Sequence, residues 1–474
     1  MTSAQPVRAL ADRIRAEIGE NVFSCYQCVK CTAGCPLVEH FDLAPNQVMR
    51  AVQLGLDDKA LGAKTPWLCA GCETCSTRCP NGIDVARVMD FLAAEATAQG
   101  NRPAVPEVAL FNEIFLRNAR LMGRTYELGL TGEFNARSGQ PLKDWRLGLE
   151  MIRRGKLKLL PEIVRKPRRT DPVRASAPAR ANAVAYYPGC SLHSVAAEYD
   201  QSARAVAEAV GLDLVEPDGW QCCGASPAHR TDERLAAAMP LANLALIAEM
   251  GLDEVAMPCA ACFGRHKTAQ HAVAHSPALA AELAAEGLAD VPPVAVRTLL
   301  DVLIDRVGLD AIAGKVARPL GGFKVACYYG CLLTRPNAVT GAADHEYPTT
   351  MDRLVTALGS TAVDWNAKTW CCGGSLSVTR TDIALDLTRR VLADALAAGA
   401  DAVAVSCPMC HANLDARQRE LRLARQDGEP SCIPILYFTQ LMAMAFGLGE
   451  QAAALARNMV DPRPLLARTS GNSR

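Results

Sequence analysis

The sequence predicts a chain of mixed α+β and α/β class, with a helical N-terminal domain followed by two duplicated α/β modules. Three observations predict it. From residue 183 onward, short apolar runs of strand type alternate with longer segments of helical periodicity. Three cysteine-bearing motifs between Tyr186 and Cys262 recur in the same order between Tyr328 and Cys410. Eighteen of the twenty cysteines fall into four spaced clusters of two kinds.

Composition sets the outer bounds. The chain has 474 residues, half of them hydrophobic, so it can bury large cores and suggests roughly two to four domains. Lys+Arg and Asp+Glu balance at 50 each, which gives no general basic field for nucleic acid and no acidic tail. Met1 to Glu20 lacks the uninterrupted apolar core of a signal peptide. No run of 18 apolar residues occurs; the nearest stretch, 435–448, is short and contains Thr439 and Gln440. We therefore expect a soluble, cytoplasmic chain without a membrane span. Twenty cysteines without a secretion signal argue against a disulfide framework and for metal or redox use in a reducing compartment.

Residues 1–160 carry the first kind of cysteine cluster and then a mostly helical stretch. Residues 161–183 read as a linker, with Pro161, Pro167, Pro172 and Pro178 among Arg165, Arg168, Arg169, Arg174 and Arg180. The run reads as a solvated tether rather than a dock for an acidic partner. The modules occupy 184–315 and 316–474. Tyr186-Tyr187-Pro188-Gly189-Cys190 resembles Tyr328-Tyr329-Gly330-Cys331, and Trp220-Gln221-Cys222-Cys223-Gly224 resembles Trp370-Cys371-Cys372-Gly373. Pro258-Cys259-Ala260-Ala261-Cys262 resembles Cys407-Pro408-Met409-Cys410, and the offsets between matching cysteines are 141, 149 and 148 residues. Strands are expected at 183–187, 253–257, 323–329 and 402–406. Helical stripes are expected along Leu235, Met239, Ala242, Leu246 and Met250, and along Ile383, Leu387, Val391 and Ala395. Each Cys-x-x-Cys then follows a strand directly, where sites form in open α/β sheets.

The first kind of cluster is Cys25-x2-Cys28-x2-Cys31-x3-Cys35-Pro36, repeated as Cys69-x2-Cys72-x2-Cys75-x3-Cys79-Pro80. This is the bacterial ferredoxin-type pattern for [4Fe–4S] clusters, in which the fourth Cys of each run ligates the other cluster. Cys25, Cys28, Cys31 and Cys79 are assigned to one cubane, and Cys69, Cys72, Cys75 and Cys35 to the other. Zinc prefers two separated pairs and fits poorly. The insertion between the runs contains an amphipathic segment, Val48 to Leu56, expected as a helix on the core. With no acid, base or nucleophile evident, this half reads as an electron relay.

The second kind gathers five cysteines per module: Cys190, Cys222, Cys223, Cys259 and Cys262, then Cys331, Cys371, Cys372, Cys407 and Cys410. Five thiolates exceed what a cubane or a zinc tetrahedron needs. Adjacent cysteines point apart, which suggests a cluster with a bridging thiolate or one distinct iron. Gly224 and Gly373-Gly374 would let backbone N–H groups approach sulfur. Zinc in one module is the alternative.

These motifs resemble heterodisulfide reductase. The paired CCG modules look like its B subunit and the first 160 residues like its C subunit, so the chain reads as a C–B fusion. The resemblance implies two non-cubane [4Fe–4S] clusters, one held by each set of five cysteines, which cleave a disulfide or, in bacterial relatives, oxidise thiol-bound sulfur. It also implies a flavoprotein A-type partner. No dinucleotide fingerprint is present, so no flavin or nicotinamide is expected in this chain. The Cys372–Cys407 spacing is one residue shorter than the family's usual range. One rival is an electron-transfer subunit of a flavin-dependent dehydrogenase, of glycolate-oxidase or anaerobic glycerol-3-phosphate dehydrogenase type, without disulfide chemistry. Another is a zinc-stabilised scaffold.

Cys327 and Cys432 are expected as buried core thiols. Trp220 and Trp370 are expected to shield clusters from water. His193, His229, His266 and His411 lie near the motifs and are weak candidates for proton delivery. Tyr186, Tyr187, Tyr328 and Tyr329 read as strand residues.

Overall fold

Among the described residues of the computed structural model (9–164, 182–421, 423 and 431–465), eight strands form two four-stranded sheets. The first sheet contains β1 (Ala183–Tyr186), β2 (Asp213–Val215), β3 (Glu254–Met257) and β4 (Ala295–Thr298), in the order β2-β1-β3-β4. The second contains β5 (Lys324–Tyr328), β6 (Thr361–Ala362), β7 (Ala402–Val405) and β8 (Ile435–Tyr437), in the order β6-β5-β7-β8. Every pairing is parallel. The central strands β3 (EVAM) and β7 (AVAV) are buried at every position. Helices cover both faces of such sheets, so strands of this kind need no polar alternation.

In each sheet the chain order reverses beside the first strand, between β1 and β3 and between β5 and β7. Ligand crevices form at the carboxyl ends of strands beside such a reversal. The four expected strands correspond to β1, β3, β5 and β7. The stripe on helix Thr381–Ala397 is also found, with Ile383, Leu387, Val391 and Ala395 all buried. The stripe on helix Glu233–Glu249 is not. Its buried face carries Ala237, Pro240, Leu241, Leu244 and Ile247, while Leu235, Met239, Ala242, Leu246 and Met250 are half-buried. That helix is apolar almost all round, so its sequence selects no face. Packing against helix Ala260–His275 does.

Helices are the only regular elements among the described residues of the N-terminal region. The expected insertion helix is Pro45–Gln53, which buries Val48, Met49, Ala51 and Val52. Its core continues into the second module through Leu376, Ile383 and Leu387. A smaller core under helices Pro106–Met122 and Glu127–Arg137 reaches the first module at Cys222. The modules share one large core, in which Tyr199 stacks on Tyr437 at 4.0 Å and Ser202 bonds Thr439 at 2.7 Å. The proline- and arginine-rich run expected as a linker lies mostly outside the described residues, in 165–181. No described helix is long and apolar enough to cross a membrane.

Candidate functional site

The cysteines of each module come from the segments that follow its first three strands, with Cys262 and Cys410 in the first turn of a helix. Cys190 follows β1, Cys222 and Cys223 follow β2, and Cys259 and Cys262 follow β3. Cys331, Cys371–Cys372 and Cys407/Cys410 repeat this after β5, β6 and β7. The fold brings each set together. Cys222 touches Cys190 and Cys223, and Cys223 Sγ lies 3.5 Å from Cys262 Sγ. Cys371 touches Cys331, and Cys372 Sγ lies 3.7 Å from Cys410 Sγ.

Local backbone makes room for sulfur. Gly224 (φ +81°) and Gly373 (φ +77°) follow the Cys-Cys pairs, and their N–H groups donate to Cys222 and Cys371 Sγ at 3.4 Å. Gly189 and Gly330 also sit at positive φ, and a Cβ there would come within 2.9 Å of Cys262 Sγ and 3.2 Å of Cys410 Sγ. Cys259 and Cys407 occupy the N-cap positions of helices Ala260–His275 and Pro408–Ala416. Helix N-termini favour thiolate over thiol. Hydrogen bonds from Cys222 and then Cys262 pull the Cys223 thiol well below its usual range, and Cys259 and Cys410 do the same for Cys407.

The two ferredoxin-type loops share one backbone form. The residues flanking the second Cys of each run, Gln27 and Val29, then Gly71 and Glu73, all have positive φ. Left-handed geometry is costly for a β-branched Val, and such strain collects at functional loops. The runs also cross over: Cys35, Cys69, Cys72 and Cys75 line a single small cavity. Burial and then the charges of Cys69 and Cys72 push the Cys75 thiol far up. Burial, followed by Cys72, raises Cys35 to about 12. Tyr26 has both Cys28 and Cys79 nearby.

Two thiol contacts join the regions. Cys72 touches Cys371, which holds the Cys72 thiol at about 6, and Cys259 touches Cys407. None of the twenty cysteines forms a disulfide. Among the described residues no three His, Cys, Asp or Glu side chains form a group set for a single metal ion. The donor chemistry is soft sulfur in groups of four and five, with backbone N–H groups directed at sulfur, and it fits iron–sulfur clusters.

Residues around the sites divide unevenly. Trp220 is fully buried: Arg124 lies over its ring at 3.6 Å, and its Nε1 donates to Glu216 at 2.7 Å. Trp370 is 43% exposed and does not shield its module. The reason is a one-residue offset in the repeat. Tyr187 and Tyr328 each donate to the carbonyl just before a Cys-Cys pair, that of Gln221 and of Trp370, both at 2.6 Å. Trp370 therefore matches Gln221, and Thr369 matches Trp220. The tyrosines are buried strand or strand-end residues as expected. Cys327 is fully buried on β5, but Cys432 is exposed, because its neighbour Ile433 is the residue that turns into the core.

The histidines bond backbone carbonyls and carboxylates. His266 bonds the Cys262 carbonyl at 2.7 Å and His411 the Ile435 carbonyl at 3.0 Å, and burial lowers the pKa of both. His229 bonds Asp90 at 2.6 Å and His193 bonds Glu216 at 3.0 Å. Sequence reading missed Arg124, Arg335, Thr74, Gly189 and Gly330. Only the glycines carried a signal, as fixed neighbours of Cys190 and Cys331.

The fold and site define a protein in which a dicluster ferredoxin-type domain is joined to two cysteine-rich α/β modules. A family model described as a 4Fe-4S dicluster domain matches residues 24–84, and one described as a cysteine-rich domain matches 184–265 and 325–415. The 8-methylmenaquinol:fumarate reductase membrane anchor subunit of Wolinella succinogenes is 30% identical over 59% of this chain and 98% of its own length. The B subunit of the ferredoxin/F420H2-dependent CoB–CoM heterodisulfide reductase of Methanosarcina acetivorans is 26% identical over 60% of this chain and 95% of its own length. An iron–sulfur C subunit of the CoB–CoM heterodisulfide reductase of Methanocaldococcus jannaschii is 31% identical over 24% of this chain and 63% of its own. The chain belongs to the heterodisulfide reductase-type family of iron–sulfur proteins, with a C-type region fused ahead of a B-type pair of modules.

Proposed function

We propose that this chain is the iron–sulfur subunit of a heterodisulfide reductase-like oxidoreductase complex, working in the cytoplasm with a flavoprotein partner. Cys25, Cys28, Cys31 and Cys79 would hold one cubane, and Cys35, Cys69, Cys72 and Cys75 the other. Cys190, Cys222, Cys223, Cys259 and Cys262 would hold one non-cubane cluster, and Cys331, Cys371, Cys372, Cys407 and Cys410 the second. When bound, such clusters carry single electrons and, in the modules, engage the sulfur of a disulfide or thiol substrate.

One observation carries this reading: the four cysteine sets are in series. Cys31 neighbours Cys35, Cys72 touches Cys371, and Cys407 touches Cys259. In this reading the second module's cysteines meet the relay directly, through Cys371, and the first module's cysteines meet it through Cys407. Retention of five cysteines in both modules supports disulfide or thiol chemistry over relay alone.

A second reading is favoured by the fumarate reductase relative, which aligns over nearly its whole length. In it the chain passes electrons for a flavin-dependent dehydrogenase or reductase and touches no disulfide. Iron and sulfide analysis and a disulfide assay separate the two. About 16 iron per chain, with reduced protein reoxidised by a disulfide, supports the first reading. About 8 iron leaves a two-cluster relay and sinks it.

A further inference from the structure

The loops that meet at Cys72 and Cys371 are tied together by one side chain, Arg335, which is only 2% exposed. Its Nη1 donates to Thr74 Oγ1 at 2.9 Å and to the Thr369 carbonyl at 3.1 Å. Its Nη2 donates to Thr369 Oγ1 at 2.9 Å and to Glu346 at 2.7 Å. Thr74 stands between Cys72 and Cys75, and Thr369 stands two residues before Cys371. Thr74 Oγ1 is also 3.4 Å from Cys72 Sγ.

The direction of these bonds follows from donor chemistry. A guanidinium only donates, so Thr74 Oγ1 accepts from Arg335 with a lone pair and its own hydrogen is left for the Cys72 sulfur. Arg335 thereby fixes a hydrogen bond onto sulfur and brings a positive charge into a buried space. Its carboxylate partner, Glu346, lies toward solvent and is shared with Arg78. The first module has nothing equivalent at this position. Four residues after Cys190 comes Ser194, where four residues after Cys331 comes Arg335. There, Arg124 holds the Trp220 carbonyl at 3.2 Å, and its other bonds go to Glu162 and His193.

We propose that Arg335 is a positioning residue for electron transfer. It locks the Thr74 loop to the Thr369 loop, holds the Cys72–Cys371 contact, and raises the reduction potential of the cluster bound by Cys35, Cys69, Cys72 and Cys75. The inference rests on the ligand sets proposed above. Reduction adds one electron and one negative charge to a cluster and breaks no bond. A nearby cation and a hydroxyl donor to sulfur both favour the reduced form.

The test is an EPR-monitored redox titration with dithionite on the iron-loaded full chain, comparing the parent with Arg335→Gln, Arg335→Lys and Thr74→Val. Arg335→Gln should lower the reduced-to-oxidised ratio of this cubane about tenfold at the parent's midpoint, a downward shift of about 59 mV for a one-electron couple. Thr74→Val should shift it less in the same direction, and Arg335→Lys should restore part of the loss. The cubane of Cys25, Cys28, Cys31 and Cys79 should not move. Equal shifts in both cubanes, or none in protein with parental iron content, overturn the proposal. If Arg335→Gln does not fold, Thr74→Val decides by the same criterion. A parent chain without two reducible cubanes refutes the ligand assignment itself, and this inference falls with it.

Discussion

The two cysteine-rich modules share a strand order, a cysteine geometry and a glycine after each Cys-Cys pair, yet they are capped differently. The first is closed by helices of the N-terminal region. Cys222 N–H donates to the Gly123 carbonyl at 2.8 Å, and Arg124 covers Trp220. The second is closed by a ferredoxin-type loop. Cys371 touches Cys72, and Ser375 Oγ donates to the Ala70 carbonyl at 3.4 Å. Each module uses a buried arginine to hold the carbonyl two residues before its Cys-Cys pair. In the first that arginine comes from outside the module, and in the second from within it. Duplication supplied two equivalent cysteine sets, and the N-terminal half packs a ferredoxin-type loop against one of them and helix Pro106–Met122 against the other.

The sharpest way to break this comparison is to disable one module at a time. Cys372→Ala should abolish disulfide-dependent turnover and leave the first module's cluster unreduced by the relay. Cys223→Ala should also bring turnover to background, yet leave the second module reducible. EPR of dithionite-reduced protein distinguishes them, and identical spectra would remove the proposed order of sites.

The tryptophans come next. Trp220→Ala removes a fully buried ring and should cost about 3–5 kcal/mol. Trp370→Ala, at an exposed position, should stay within about 0.5 kcal/mol. Anaerobic denaturant unfolding measures both, and similar costs would contradict the one-residue offset in the repeat.

Gly189→Ala and Gly330→Ala probe the space beside sulfur. Each forces a positive-φ position, at about 1–3 kcal/mol. The closer approach at Gly189, 2.9 Å against 3.2 Å, predicts greater iron loss from the first module.

The smallest effect is a pH dependence at Glu216 of the first module. Burial would raise the Glu216 carboxyl, but hydrogen bonds from His193 and Trp220 outweigh it and hold it at about 2, below its ordinary 4.5. A depressed carboxyl stabilises the fold above its unfolded pKa, and that contribution is lost as pH falls through the folded value. Between pH 4.5 and 2 the Trp220 environment should therefore loosen. Near-ultraviolet circular dichroism follows this, and Glu216→Gln should flatten the response. An unchanged acid profile in that variant would assign the loss to other groups.

Much of this was legible beforehand. The apolar runs located the inner strands β1, β3, β5 and β7, because a buried parallel strand must be short and almost wholly apolar. The outer strands β2, β6 and β8 are only two or three residues long, too short for a pattern to show, and β4 is buried at alternate positions only. The helical face of Ile383, Leu387, Val391 and Ala395 was readable because polar residues separate those positions. The face of helix Glu233–Glu249 was not, since alanine and leucine surround it. Trp370 and Cys432 were misjudged for a related reason. Exposure depends on what packs over a loop, and nothing local encodes that.

The spacing of residues along the chain singled out which thiols stand as candidate cluster ligands. Thiol spacing, the glycines beside it and the duplication are local properties, and local geometry limits the ligands a short loop can present. Only the tertiary structure decided which sets meet. The Cys72–Cys371 and Cys259–Cys407 contacts join residues far apart in the chain, and Arg335 acquires its place between Thr74 and Thr369 only when two cores merge. Those contacts depend on shape complementarity between folded surfaces, which no residue pattern along the chain specifies.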